Sequence, residues 1–250
     1  MPLVGPIGNE IIRELLRLRR KVDIVAVVEG RTDRLLLESL MEAIGPDLLV
    51  FYVPATGRDA IAAVVSMMRS LQDIVSKKET RVKLIMRDCD DMEPLKAVKA
   101  VFNALRARER EIKLVSEGGR SILARVGIHH VVILAVGMYN DRRLSSLGVR
   151  RFAAEDYLLA CLLRDPGLLE REIELPRGET SKEVLMALAG RLGQEPEELM
   201  EKIMARARDK GLLDEVIGPL ADELRRALEA TGKRLTGEGQ PEESDIRHPG

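Results

Sequence analysis

Two short acidic motifs contain the residue types and spacing best suited to chemistry in this sequence. Glu29 directly follows an apolar run at 22–28, and Asp88 and Asp90 come just after a second apolar run at 82–86. If both runs are neighbouring parallel strands, their carboxyl ends lie at the same edge of one sheet, where open α/β folds bind their ligands. Carboxylate oxygens are the ligands that hard divalent cations prefer. The two motifs therefore predict a site for Mg²⁺ or Mn²⁺ at this edge.

The elements that must position these acids alternate between strand and helix patterns. Short apolar runs bounded by turn residues predict four strands, at 22–28, 48–53, 82–86 and 129–137. Apolar residues at helical spacing follow each of the first three strands and predict three helices. The first ends before Gly45, the second spans 58–75 and the third spans 94–111. The pattern predicts an α/β fold with a parallel, doubly wound sheet of about four strands and flanking helices. Residues 112–127 are ambiguous, and a short helix at 121–126 is one interpretation.

Beyond residue 151 the pattern changes to helices alone. Helical spacing recurs at 153–163, 181–192, 195–208 and 213–230, with Thr180 as a capped start and Gly193 as a stop. We therefore expect four segments along the chain. They are an N-terminal helix at 1–19, an α/β domain at 20–151, a helical subdomain at 152–230 and a disordered tail at 231–250.

The acidic motifs resemble those of the Toprim family in their order, separation and position at strand ends. A strand is followed by Glu29 and Gly30, and a later strand is followed by Asp88 and Asp90. The resemblance covers roughly residues 20–160 and is greatest to OLD-type nucleases and small stand-alone Toprim proteins, in which Glu-Gly-x-x-Asp precedes an apolar helix. It implies the Toprim form of the α/β sheet. It also implies that the two aspartates hold Mg²⁺, while Glu29 acts in metal binding or as a general acid or base.

Four further acids each have a functional and a structural interpretation. The spacing between Glu29 and Asp33 resembles the spacing that supports a second metal ion in OLD-type proteins. Asp and Thr also commonly cap a helix, so Asp33 could have that role instead or as well. Glu155 resembles a further acidic position of that family and could complete a two-metal site, with Asp156 as its alternative. Both could instead be first-turn acids that complement the helix dipole. Asp91 could bind metal through water or be a solvated turn residue.

Basic residues predict contact with nucleic acid. The net charge is -1, but residues 101–151 contain 10 Lys or Arg against 4 Asp or Glu, whereas residues 152–250 contain 14 against 22. The basic segment could face a polyanion or form a solvated helix face. Four arginines are candidates for individual phosphate contacts, although ordinary surface arginines would look the same: Arg31, Arg58, Arg142 and Arg143.

The expected function is Mg²⁺- or Mn²⁺-dependent phosphodiester hydrolysis or transfer on DNA or RNA. The alternative is a non-catalytic nucleic-acid-binding or scaffolding module, and primase-like nucleotide synthesis ranks after it. The sequence contains no Gly-x-x-x-x-Gly-Lys-Ser/Thr ATPase loop and no cysteine cluster of the kind found in primase zinc modules. The two cysteines and the lack of a leader or a membrane-length apolar stretch predict a cytoplasmic protein that is not bound to membranes. A homo-oligomer or a larger complex is left open.

Overall fold

The computed structural model of the chain describes residues 3–6, 23–28, 30–45, 49–54, 82–169 and 173–232. These residues form seven strands, seven α-helices and a short 3₁₀ helix at Pro166–Leu168. The strands are β1 (Leu3–Pro6), β2 (Ile24–Val28), β3 (Leu49–Pro54), β4 (Val82–Asp88), β5 (Lys113–Glu117), β6 (Ser121–Val126) and β7 (His129–Val136). The helices are α1 (Arg31–Ile44), α2 (Pro94–Arg108), α3 (Arg142–Ser146), α4 (Glu155–Arg164), α5 (Ser181–Leu192), α6 (Pro196–Asp209) and α7 (Leu212–Glu229).

The strands form one mixed sheet in the order β1-β3-β2-β4-β7-β6-β5. The first five strands in this order are parallel, whereas β6 is antiparallel to β7 and β5 is antiparallel to β6. Strand β3 lies on one side of β2 and β4 lies on the other, so the strand order reverses at β2. Open α/β sheets bind ligands at such a reversal, outside the carboxyl ends of the strands. By this rule, a ligand would be expected next to the ends of β2 and β4.

The structure confirms an α/β fold and corrects the predicted sheet. The sequence predicts about four strands, all parallel, whereas the described residues form seven strands, and two of the six pairings between them are antiparallel. The segment at 121–126 is strand β6 and not a short helix. Its first four residues are all buried, so it lacks the apolar and polar alternation that distinguishes a strand from a helix. Strand β1 lies within the segment 1–19 predicted as a helix, and residues 7–19 lie outside the described residues.

Buried apolar residues connect the sheet with the C-terminal helices. All residues from 131 to 136 in β7 are buried although successive side chains point to opposite faces, so both faces of the sheet are covered. Helix α2 contacts β4, β6 and β7, and helix α7 contacts β6, β7 and α1. The buried cluster continues into α4, α5 and α6. It therefore crosses the predicted domain boundary between residues 151 and 152.

The helix ends of the C-terminal region agree with the sequence signals. The Thr180 side chain accepts a hydrogen bond from the backbone N–H of Glu183 over 3.1 Å at the start of α5. The same helix ends at Gly193, whose φ of 66° lies in the left-handed region that glycine adopts readily. Among the described residues, none of the helices is both long and apolar enough to cross a membrane.

Candidate metal and phosphate site

Strands β2 and β4 end at the same edge of the sheet, and the second acidic motif lies there at the end of β4. Val27 pairs with Ile85 in parallel register, so Val28 at the end of β2 and Asp88 at the end of β4 both lie at the carboxyl edge. Asp88 is half-buried, and its Oδ1 atom is shielded from solvent. Glu29 follows Val28 in the sequence but lies outside the described residues, so its metal-binding and catalytic roles stay predictions.

Asp90 lies in a turn that holds it beside the end of β4. Its φ of 53° is in the left-handed region, which residues other than glycine adopt rarely and often at functional sites. Its backbone N–H donates to the carbonyl oxygen of Phe152 over 2.9 Å, and the Phe152 N–H donates to the Asp90 carbonyl over 2.8 Å. Cys89, between the two aspartates, is fully buried, and burial raises the pKa of its thiol to about 12. Burial therefore disfavours the reactive thiolate form of Cys89 near neutral pH.

Two arginines hold the carboxylate of Asp90. Nη2 of Arg151 donates to Oδ1 over 3.0 Å, and Nη2 of Arg87 donates to Oδ2 over 3.2 Å. The Arg151 side chain is 59% exposed and the Arg87 side chain is 30% exposed. The sequence places Arg151 in the basic segment, but its contact with Asp90 depends on the bridge between Asp90 and Phe152. Sequence reasoning therefore missed this residue.

The other candidate acids have different surroundings. The backbone N–H of Gly30, directly before α1, donates to Oδ2 of Asp33 over 2.9 Å, so Asp33 has the capping role that is one of its two predicted interpretations. Glu155 is half-buried in the first turn of α4, and Asp91 is exposed. Within the described part of the chain, three or more His, Cys, Asp or Glu side chains nowhere form a group that could hold a metal ion. Asp33 and Glu155 are thus not members of a group of three or more such side chains among the described residues.

Asp156 has a structural position that the sequence did not reveal. It is fully buried, and its Oδ2 accepts hydrogen bonds from the backbone N–H groups of Met138 over 2.8 Å and Ala153 over 3.1 Å. Its Oδ1 accepts a hydrogen bond from the Ser181 hydroxyl over 2.5 Å. Burial raises the pKa of this carboxyl group to about 7. Asp156 therefore ties the loop after β7 to the starts of α4 and α5.

Arg31 lies next to the predicted edge but is engaged within the protein. It begins α1 and forms ion pairs with Glu197 and Glu201 of α6. Exposed pairs of this kind contribute little to stability, so a phosphate could compete with the two glutamates. Arg58, the other predicted phosphate contact of the N-terminal half, lies outside the described residues.

Arg142 and Arg143 begin α3, which follows β7 at the carboxyl edge of the sheet. Asp141 caps this helix by accepting hydrogen bonds from the backbone N–H groups of Arg143 and Leu144. The Arg143 side chain also donates to Asp141 over 3.0 Å, whereas Arg142 is exposed to solvent. Arg142 is therefore the better placed of the two for contact with a phosphate.

A second titratable pair lies in β4 and β7, nearer their amino ends. Lys83 is 1% exposed, and its Nζ lies 2.8 Å from Nδ1 of His129. Burial lowers the pKa of Lys83 from 10.5 to about 8, and burial followed by the charge of Lys83 lowers the pKa of His129. The ammonium form of Lys83 is thus disfavoured by folding.

Replacing Lys83 with methionine should change how stability depends on pH. Between about pH 8 and 10.5 the unfolded chain binds more protons at Lys83 than the folded chain, so the stability of the natural protein rises with pH. We expect the free energy of unfolding of the natural protein, relative to Lys83→Met, to increase by about 2 to 3 kcal/mol from pH 7 to pH 10. Urea denaturation at both pH values measures this change. The exposed Lys182→Met is the control, and an equal pH dependence in both variants would contradict the prediction.

No similarity to a known protein identifies this site, so its function is inferred from its chemistry. Protein-family models, curated proteins and solved structures all gave no match to this chain. The fold and the site define the class of protein: an α/β protein with aspartates and arginines clustered where its strand order reverses.

Proposed function

We propose that this chain is a Toprim-like protein that uses Mg²⁺ or Mn²⁺ to hydrolyse or transfer phosphodiesters in DNA or RNA. One observation carries the proposal: Asp88 and Asp90 follow β4 at the edge where the strand order reverses. A ligand is expected at this edge from topology alone. The acids found there supply hard oxygen donors, and the neighbouring arginines match phosphate.

The carboxylates at the edge fit a divalent cation. Mg²⁺ is usually bound by one or two carboxylates, and water and substrate phosphate complete its coordination. In this proposal Asp88 and Asp90 hold the ion, together with Glu29. A bound ion supplies charge stabilisation to a phosphoryl oxygen and lowers the pKa of a bound water. The proposal requires one ion, and in the described region Asp33 and Glu155 belong to no group of three or more potential metal ligands.

The chain's own residues would position the nucleic acid around this ion. Arg142 is exposed on α3 beyond the end of β7, and β7 is the parallel neighbour of β4. A guanidinium at this edge can donate two hydrogen bonds to one phosphate. The site therefore combines anchors for the ion with a cationic side chain for the backbone of DNA or RNA.

A metal-dependent nicking assay on labelled DNA and RNA tests the proposal. We expect Asp88→Asn and Glu29→Gln each to lower the cleavage rate on the order of 100-fold, because each removes an anionic ligand while keeping its shape. Glu93→Gln, which alters an exposed glutamate close to the site, should leave the rate unchanged. Thermal denaturation of each variant shows whether it is folded. Cleavage that persists in both Asp88→Asn and Glu29→Gln would refute the assignment.

The second candidate is a non-catalytic nucleic-acid-binding module. It is favoured by the two arginines on Asp90, since a carboxylate that is already neutralised has less affinity for a cation. This candidate predicts that the natural protein binds labelled DNA or RNA without cleaving it when Mg²⁺ or Mn²⁺ is present. Binding without cleavage in the same assay therefore favours the module over the enzyme.

A further inference from the structure

Two guanidinium groups already contact the Asp90 carboxylate that the proposed cation would bind. Arg151 donates to one oxygen and Arg87 donates to the other, so each oxygen already has a cationic partner. A divalent cation at the same carboxylate would repel both guanidinium groups. We therefore expect ion binding to favour the departure of at least one of them from Asp90.

Arg151 is the arginine that is free to turn. Its side chain is 59% exposed, against 30% for Arg87, and it lies on an irregular segment between α3 and α4. Long exposed side chains exchange rotamers readily on a fast timescale. Metal binding should therefore displace the Arg151 side chain first.

The backbone of Arg151 is held in place on both sides. Its own N–H and that of Arg150 donate to the carbonyl oxygen of Glu179 over 3.1 and 2.9 Å. The next residue, Phe152, exchanges two backbone hydrogen bonds with Asp90. These bonds do not involve the Arg151 side chain. The guanidinium can thus leave the carboxylate and still lie within a side chain's length of it.

We propose that Arg151 exchanges its partner when the metal ion binds, from the carboxylate of Asp90 to a backbone phosphate of the nucleic acid. This inference rests on the proposed function, because it takes Asp90 as a ligand of the ion. A phosphate that completes the coordination of the ion lies next to Asp90, within the region that the displaced guanidinium can reach. The released arginine is then available for a bidentate contact with that phosphate.

The exchange couples the two binding events. Without metal, the Asp90 carboxylate occupies Arg151 and lowers its availability for phosphate. With metal, the arginine is released, so metal and nucleic acid should each increase the affinity for the other by the same factor. Arg151 is a binding and positioning residue in this scheme, and Arg87 stays beside the site.

Titration of Mn²⁺ into the protein tests the first half of the exchange. Removing the competing guanidinium with Arg151→Gln should tighten Mn²⁺ binding about twofold to fivefold in the absence of nucleic acid, the range set by an exposed ion pair. Arg150→Gln removes an exposed charge one residue away and should leave Mn²⁺ affinity unchanged. Arg151→Lys keeps the charge and should bind Mn²⁺ about as the natural protein does. Isothermal titration calorimetry, or the electron paramagnetic resonance signal of free Mn²⁺, measures the Mn²⁺ affinity of all four proteins.

Fluorescence anisotropy with a labelled oligonucleotide tests the second half. Mn²⁺ should raise the affinity of the natural protein and of Arg150→Gln for the oligonucleotide, and Arg151→Gln should lose most of this gain. Equal Mn²⁺ affinities, or equal gains, in Arg151→Gln and Arg150→Gln would overturn the inference. In that case Mn²⁺ binding that is lost in Asp90→Asn would still support the proposed function. If the natural protein bound no Mn²⁺, both proposals would be overturned.

Discussion

Gly137→Ala should destabilise the protein by about 3 to 5 kcal/mol, because backbone strain and steric overlap act at the same residue. Gly137 follows β7 with a φ of 113°, a conformation that is essentially restricted to glycine. A Cβ atom added there would lie 2.7 Å from the carbonyl carbon of Phe152 and 2.8 Å from the backbone nitrogen of Ala153. Backbone atoms cannot move aside as a flexible side chain can. The segment after α3 would therefore have to shift.

Gly127 is the matched control for this substitution. It also has a positive φ, of 55°, but an added Cβ would meet no atom within 4 Å. Gly127→Ala should therefore cost only about 1 to 2 kcal/mol, the strain of the left-handed conformation. Chemical denaturation of the two variants measures the difference. If Gly137→Ala proved no less stable than Gly127→Ala, the close approach of Gly137 to Phe152 would be wrong.

Gly137 lies against a segment that forms part of the candidate site. Phe152 is the residue whose backbone pairs with Asp90, and Arg151 precedes it. A shift of this segment would move the Arg151 guanidinium relative to the Asp90 carboxylate. Under conditions where the variant is still folded, we therefore expect Gly137→Ala to lose part of the gain in oligonucleotide affinity that Mn²⁺ gives the natural protein.

Asp156→Ala should cost roughly 3 to 5 kcal/mol, because it removes the acceptor for three donors inside the protein. The backbone N–H groups of Met138 and Ala153 would lose their partner at Oδ2 of Asp156, and the Ser181 hydroxyl would lose its partner at Oδ1. A buried donor without an acceptor costs about 1 to 3 kcal/mol. Thermal or urea denaturation measures the loss.

Asp156→Asn separates the hydrogen bonds from the charge. The amide oxygen can accept from both backbone N–H groups, and the amide nitrogen can donate to the Ser181 hydroxyl. Since burial already raises the pKa of Asp156 to about 7, the neutral side chain resembles the protonated acid. We expect Asp156→Asn to cost about 1 kcal/mol or less. Similar losses in the alanine and asparagine variants would show that the charge, and not the hydrogen bonds, stabilises this junction.

The two β-strand regions of the chain differed in how far the sequence predicted them. The parallel strands β2 and β4 are apolar runs that end at turn residues, so their pattern is visible in the sequence. The pattern of the β5–β6 hairpin is not visible in the sequence, because all five side chains of β5 are exposed while the first four of β6 are buried. Neither strand has the period of two that a strand with one buried face shows. Their strand structure comes from pairing across the sheet.

The candidate acids also divide into features that the local sequence predicts and features that only the fold decides. Both interpretations of Asp33 depend on residues nearby in the sequence, and the structure bears out the capping one. Glu155 and Asp156 are adjacent in the sequence, and only the fold distinguishes a half-buried side chain from a fully buried one. Local signals predict helix caps because a cap is formed within one turn. They cannot predict burial, which depends on distant residues.

Sequence alone determined the alternation of strands and helices, the ends of the C-terminal helices and the aspartates at the end of β4, since each follows from short-range periodicity and turn chemistry. Tertiary structure alone decided that the strand order reverses at β2, that Arg151 holds Asp90, and that Asp156 joins three segments. The physical reason is distance along the chain. Arg151 is 61 residues from Asp90, so their ion pair exists only because the sheet and its loops bring the two residues together.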